Sequence, residues 1–336
     1  MPALKVGGQT PWPPVSEPPG LDRDQCVACM SPLSECAACA QACPSEAWTM
    51  TTAGPELDGE LCDGCGRCVG VCPQRALSVS TPIEKRQDRH GVFAMATCAA
   101  VACEDDRPQM PCLHLIGWRQ LDEWRRQGIG RLWIEHADCT DCRRHGENMF
   151  GEALGFARQV WAERGTGPMA VERLRSGKRG RLRANSEPAF DRGAAGSRRA
   201  MFGRLAAAFI EPEARPGERA VFGPTLEPDL CNGCDACAKM CPTGALALQE
   251  DGEQAAYEVM AERCTGCGLC VDVCETGAVS IRSWVSPPHS RLSLSQRSCT
   301  VCGLSFHEPL EATSHEQCWI CRLRPAANPR AVIVDP

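Results

Sequence analysis

Twenty-six cysteines dominate the chemistry open to this 336-residue chain, and their spacing is regular. The run CNGCDACAKMCP, Cys231 to Pro242, is answered by CTGCGLCVDVCE, Cys264 to Glu275. Each reads C-x2-C-x2-C-x3-C, in which three thiolates of one tight loop and a fourth from the partner run hold a 4Fe–4S cube. By that rule one cluster takes Cys231, Cys234, Cys237 and Cys274, and the other takes Cys264, Cys267, Cys270 and Cys241. Gly233, Gly266 and Gly268 let the backbone approach closely. A zinc knuckle array is the competing reading and fits poorly, because such sites use two separated CxxC pairs.

A second set lies upstream. Cys62, Cys65, Cys68 and Cys72-Pro73 form another full run. The run before it is defective: Cys36, Cys39 and Cys43-Pro44 are in register, but position 33, where the first ligand belongs, is leucine. Cys26 and Cys29 stand ready to fill the gap, with Cys26 the first choice. The expected clusters are Cys62, Cys65 and Cys68 with Cys43, and Cys36, Cys39 and Cys26 or Cys29 with Cys72. An empty first site is the alternative. The chain thus carries a duplicated unit, about 26–80 and 226–282, rather than a solenoid.

Residues 226–282, down to the CPTGAL after the first run, resemble a bacterial dicluster ferredoxin. One departure matters: Glu275 follows Cys274 where that family usually has proline. It frees an N–H and adds negative charge near one cube, so the two potentials are expected to differ.

Between the modules, residues 86–165 change character. HGVFAMATC, PQMPCLHLI and GRLWIEHADC read as strands. GWRQLDEWRRQG and ENMFGEALGFARQVWAERG space apolar residues helically: Leu121 and Trp124, then Phe150, Leu154, Ala157 and Trp161. Alternating strands and helices predict a small parallel α/β unit whose strand ends gather ligands on one edge. Cys98, Cys112, Cys139 and Cys142 fall at those ends, with Cys103 in reserve, and predict a further metal site, an Fe–S cluster or zinc. Their order is similar to the iron–sulfur delta subunit of methyl viologen-reducing hydrogenases, a resemblance that implies a 2Fe–2S cluster. Buried thiols with a structural zinc are the plainer alternative.

Residues 166–225 read as a basic linker. VERLRSGKRGRLRANSEPAFDRGAAGSRR has few large apolar residues and reads as solvated, or as a dock for an acidic partner or membrane face. RRAMFGRLAAAFI places Met201, Phe202, Leu205, Phe209 and Ile210 on one helical face. In the tail, Cys299, Cys302, Cys318 and Cys321 form C-x2-C-x15-C-x2-C, a zinc-ribbon spacing that rubredoxin-type iron shares. CWICR lacks the proline and glycine of rubredoxin, which favours zinc; His307 and His315 are expected to be exposed spares.

The expected organisation is α+β: two dicluster ferredoxin-like modules flanking a small α/β insert, with a C-terminal zinc-ribbon-like knuckle. In residues, these are an arm at 1–20, modules at 21–85 and 226–285 around the insert and linker, and the knuckle at 295–325. The arm is proline-rich without an apolar h-region, so no export signal is expected. No apolar run is long enough to span a membrane, and the metal-ligand spacings argue against disulfides; a reducing cytoplasm is expected. The charge of −6 gives no nucleic-acid signal. Nucleotide fingerprints and a Ser-His-Asp set are absent.

These readings point to an electron relay through several 4Fe–4S clusters, between a low-potential donor and a redox enzyme. The layout resembles iron–sulfur partners of molybdopterin oxidoreductase, hydrogenase and heterodisulfide reductase systems, which implies a partner of that kind. Two other readings remain: an oxidoreductase subunit with a catalytic thiol or open-iron site in the insert, and an iron–sulfur assembly factor.

Overall fold

The computed structural model describes residues 17–189 and 219–323, apart from 102, 104, 105, 141, 143, 145, 146, 176, 252, 253, 287, 288 and 313. Most of the predicted arm, the segment 190–218 and its amphipathic helix lie outside the described residues. The chain divides into two compact units, Met1–Pro32 with Cys36–Phe209, and Leu33–Glu35 with Ile210–Pro336.

The first unit opens with short pieces. β1 (Gly20–Leu21) pairs antiparallel with β4 (Leu77–Ser78), and β2 (Trp48–Thr51) with β3 (Gly54–Leu57). Helices α1 (Val27–Met30), α2 (Ala38–Gln41) and α3 (Arg67–Val71) carry or border the cysteines. Trp48, Cys68 and Leu77 are its buried cluster, a small core for so much chain.

A five-stranded sheet follows, in the order β8-β7-β6-β5-β9. Its strands are β5 (Glu84–Asp88), β6 (Gly91–Thr97), β7 (Arg131–Glu135), β8 (Ala170–Arg173) and β9 (Glu187–Pro188). β6, β7 and β8 run parallel, while β5 pairs antiparallel with both β6 and β9, so the sheet is mixed rather than parallel throughout. Residues 93–96 of β6 are each fully buried, the continuous apolar run of a strand covered on both faces. Ala94 and Ala96 face helices α4 (Trp118–Arg126) and α5 (Met149–Glu163) through Leu121, Trp124, Ala157 and Trp161. Phe93 and Met95 face the other way, against Trp133, Leu174 and Leu182.

Two expectations need correction here. PQMPCLHLI is not a strand: it contributes one parallel bridge, Cys98 to Met110, and then a 3-10 turn, Leu113–Leu115. Pro108 and Pro111 have no N–H to give a ladder. The basic stretch after 165 is not wholly a solvated linker. It supplies β8, β9 and helix α6 (Lys178–Ala184), which closes the far face of the sheet. Arg179 is buried there, its guanidinium 2.8 Å from Glu84 and 3.4 Å from Glu135, and bonded to the Thr97 hydroxyl. Arg183 meets the other Glu84 oxygen at 2.7 Å.

In the second unit β10 (Ala220–Leu226) pairs antiparallel with β13 (Val279–Val285). A four-stranded antiparallel sheet has the order β11-β12-β14-β15, from β11 (Leu246–Asp251), β12 (Gln254–Met260), β14 (His289–Ser298) and β15 (Ser305–Pro309). Along β14 Leu292 and Leu294 are buried between exposed Arg291, Ser293 and their neighbours, the period of a half-buried strand. The tail therefore extends the sheet of the second module rather than standing beside it. Tyr257 and Leu246 lie fully buried in its core. Short helices α7 (Ala236–Lys239) and α8 (Leu269–Asp272) follow the cysteine loops, and α9 (Trp319–Leu323) holds the last cysteine.

Candidate metal centres

In the second unit, Cys231, Cys234, Cys237 and Cys274 line one small cavity together with Asp235 and Tyr257. Cys270 has Cys267, Cys241 and Cys264 as its charge neighbours, so the other expected quartet also gathers. The loops can close this tightly because Gly233 and Gly266 both sit at φ +69°. A Cβ on Gly266 would lie 2.9 Å from the Phe222 ring, and one on Gly233 1.8 Å from the His307 carbonyl oxygen. Burial pushes the Cys237 thiol up to about 12 and the Cys270 thiol higher still. Burial also opposes ionisation of Cys274, but Thr276 and backbone N–H groups outweigh it and hold that thiol below its ordinary value.

Spacing alone did not single out Asp235. It adopts φ +62°, a left-handed conformation that Asp tolerates better than most residues. The Tyr257 hydroxyl donates to its Oδ1 at 2.7 Å, and its backbone N–H donates back to that hydroxyl at 3.2 Å. Burial, then the Asp235 contact, raise Tyr257 far above a normal phenol, so the hydroxyl stays protonated and donates. His307, expected to be exposed, is only 7 % exposed, with Nδ1 3.2 Å from the same carboxylate oxygen. Its Nε2 lies 3.4 Å from Glu250. His315 remains partly exposed and is bonded through Nδ1 to Glu308 at 2.5 Å. The lone tyrosine and the solitary histidine in a strand were the available sequence signals.

In the first unit a cavity is lined by Cys26, Cys36, Cys39 and Cys72. Cys29 is not among them; it packs beneath Gly54, where an added Cβ would lie 2.4 Å from its Sγ. Leu33, at the vacant ligand position, is 61 % exposed. Burial pushes Cys39 up to about 12, reinforced by Cys36, Cys68 and Cys26. The other quartet centres on Cys68, whose charge neighbours are Cys43 and Cys62, and burial lifts Cys65 and Cys68 to about 12 and about 11. The Ala47 N–H donates to Cys43 Sγ at 3.3 Å, the kind of bond that stabilises a thiolate.

Beyond the carboxyl ends of β6 and β7, Cys98, Cys112, Cys139 and Cys142 line a cavity of about 80 Å³. His114 and His136, not singled out in the sequence, share its wall. Burial raises the Cys112 thiol to about 12. Cys139 is exposed at the rim. Cys103 does not line it: its thiol donates to the Val101 carbonyl and accepts from Gln109. Two buried arginines tie this cavity to the first module. Arg144 bonds Asp63 at 2.6 Å and the Pro111 carbonyl at 2.6 Å, while Arg67 donates to the carbonyls of Arg144 and Glu147. Near thiols with bound metal, such cations offset negative charge.

The tail cysteines converge most tightly: the Sγ atoms of Cys299, Cys302, Cys318 and Cys321 all lie within 4.8 Å of one another. Cys302 and Cys318 are 3.9 Å apart, against about 3.8 Å for an edge of a tetrahedron with about 2.3 Å metal–sulfur bonds. N–H groups of Cys302 and Cys318 point at Cys299 Sγ and hold that thiol down at about 6. The donor set and its spacing fit one tetrahedral ion.

Comparisons with known proteins cover part of each cysteine module. Residues 230–278 match the family model described as "4Fe-4S dicluster domain", and residues 55–78 match "4Fe-4S binding domain". A stretch of 44 residues is 41 % identical to one of the subunits of the ion-translocating oxidoreductase complex of Methanosarcina acetivorans, covering 13 % of this chain and 17 % of that relative. The match therefore spans less than a fifth of the relative. Among the described residues no helix is long and apolar enough to cross a membrane. Cysteine loops, cavities and family matches together show that this chain carries ferredoxin-type 4Fe–4S domains, the module of iron–sulfur electron transfer.

Proposed function

We propose that the chain relays single electrons through four 4Fe–4S clusters between a low-potential donor and a redox enzyme complex. The observation that supports this reading is that thiols of neighbouring runs come together: Cys274 with Cys231, Cys234 and Cys237, Cys241 with Cys264, Cys267 and Cys270, Cys72 with Cys26, Cys36 and Cys39, and Cys43 with Cys62 and Cys68. Bound clusters supply reversible one-electron reduction. The chain's own work is to hold them by Cys26, Cys36, Cys39 and Cys72, by Cys62, Cys65, Cys68 and Cys43, and by the two quartets of residues 231–274. It also excludes water and directs N–H groups at sulfur. The named relative belongs to a redox complex, which supports a docked role within one, as the likeness to hydrogenase and molybdopterin oxidoreductase partners does. We assign zinc to Cys299, Cys302, Cys318 and Cys321, and a fifth centre, 2Fe–2S or zinc, to Cys98, Cys112, Cys139 and Cys142.

A second reading makes the insert a reaction site. The exposed thiol of Cys139 at the mouth of its cavity favours it. It predicts a thiol that alkylates readily and a substrate that reoxidises the reduced clusters.

Iron, acid-labile sulfide and zinc per chain, measured on protein purified without oxygen, test the relay. About sixteen irons with matching sulfide and one zinc are expected, and about eighteen if the insert holds a 2Fe–2S cluster. Four irons or fewer, with several zincs, would overturn the relay.

A further inference from the structure

The tail contains a metal-binding quartet that electron transfer as such does not require. It is joined to the second module through three consecutive residues of β15. Phe306 packs with Cys299 and Cys318. His307, next along, bonds Asp235 and sets its carbonyl oxygen over Gly233, where any side chain would collide. Glu308, buried, binds the His315 N–H at 3.0 Å and its ring. Asp235 and Gly233 belong to the loop that carries Cys231, Cys234 and Cys237, and Asp235 lines the cavity with them.

The tail has little apolar core of its own. Phe306 is the one buried apolar side chain grouped with its cysteines, while Val301, Leu304, Leu310, Ile320 and Leu323 are exposed. A segment of that kind owes its structure to its metal. As an edge strand β15 pairs with β14 alone, so loss of the ion would loosen its end and let His307 withdraw from Asp235.

We propose that the four-cysteine site of the tail clamps the cube held by Cys231, Cys234, Cys237 and Cys274, with His307 as the positioning residue between them. The inference rests on the cluster reading above. His307 acts by holding Asp235 in its left-handed conformation and by roofing Gly233.

The test measures iron release to a ferrous chelator in anaerobically purified protein, after iron, sulfide and zinc have been counted. In Cys302→Ser, which has lost one zinc ligand, a phase of about four irons is expected to leave about tenfold faster than in the wild type, with the other irons unchanged. His307→Leu should behave the same way with zinc retained. His307→Asn, whose amide takes the place of Nδ1, should restore the slow rate. Unchanged release in zinc-free Cys302→Ser, or equal acceleration of every iron, would overturn the clamp. If Cys302→Ser does not accumulate, the two His307 variants decide alone, and equal rates in Leu and Asn overturn it. Wild-type protein with less than one cube of iron instead refutes the cluster reading, before the variants are compared.

Discussion

At the scale of single residues, the cysteine spacing was informative because ligation is local: a cube needs several thiols from one loop. The exception is the defective run, where the sequence favours Cys26 over Cys29 only slightly and the surroundings of the two decide. Cys26 faces Cys36, Cys39 and Cys72, while Cys29 lies under Gly54. Cys26→Ser should therefore lower the iron content by about four per chain, and Cys29→Ser should leave it intact, both read by metal analysis. If both lose equal iron, the ligand is not set by this geometry. Glu275 raises a second residue-scale question. It is exposed, and it follows a thiol that N–H groups and Thr276 already favour as a thiolate. Glu275→Pro removes a negative charge beside Cys274, whose favouring N–H groups come from Thr276, Ala278 and Val279, so the midpoint potential of one cluster should rise while the others stay put in a redox titration. Unchanged midpoints would show that Glu275 does not tune it.

Among the elements, the strands β6 and β7 and the helices α4 and α5 could be read from their apolar periods, because each period reports burial within its own segment. α6 could not. Its arginines look solvated until Glu84, 95 residues earlier in the chain, is placed opposite Arg179. Pairing over that separation leaves no local trace. Arg179→Ala would remove the closest partner of the Thr97 hydroxyl and leave Glu84 one buried cation fewer, with Arg183 still in place, a loss of about 3 kcal/mol. Exposed Arg181→Ala should cost almost nothing. Urea denaturation of the two variants separates these outcomes, and equal midpoints would return the segment to a solvated role. The iron content of both should match the wild type, because neither residue lines a cysteine cavity.

Across the whole molecule, apolar core and metal ligands are distributed unequally. The insert has a continuous core that includes Ile116, Leu121, Leu132 and Trp161, all nearly or fully buried. The buried apolar side chains of the first module, among the described residues, are few and mostly small: Val27, Ala28, Ala47, Trp48, Ala76 and Leu77 besides its cysteines. Stripping iron and zinc should consequently unfold residues 26–78 while the sheet of the insert persists. Hydrogen exchange after chelation reads this directly: amides of β6 and β7 stay protected, and those of β2 and β3 exchange freely. Uniform loss of protection would show that the insert depends on metal as well.

The order of strands in the mixed sheet also has a temporal meaning. The first module is complete once Ser78 has been made, because β4, which pairs with β1, is its last strand. β5 is synthesised next, yet its outer neighbour β9 arrives only at Glu187, and the Arg179 that neutralises Glu84 shortly before it. On a ribosome adding about 5–20 residues per second, that interval lasts several seconds. During it one edge of the nascent sheet is open and Glu84 has Arg86 alone beside it, while the cysteines of the first module are already made.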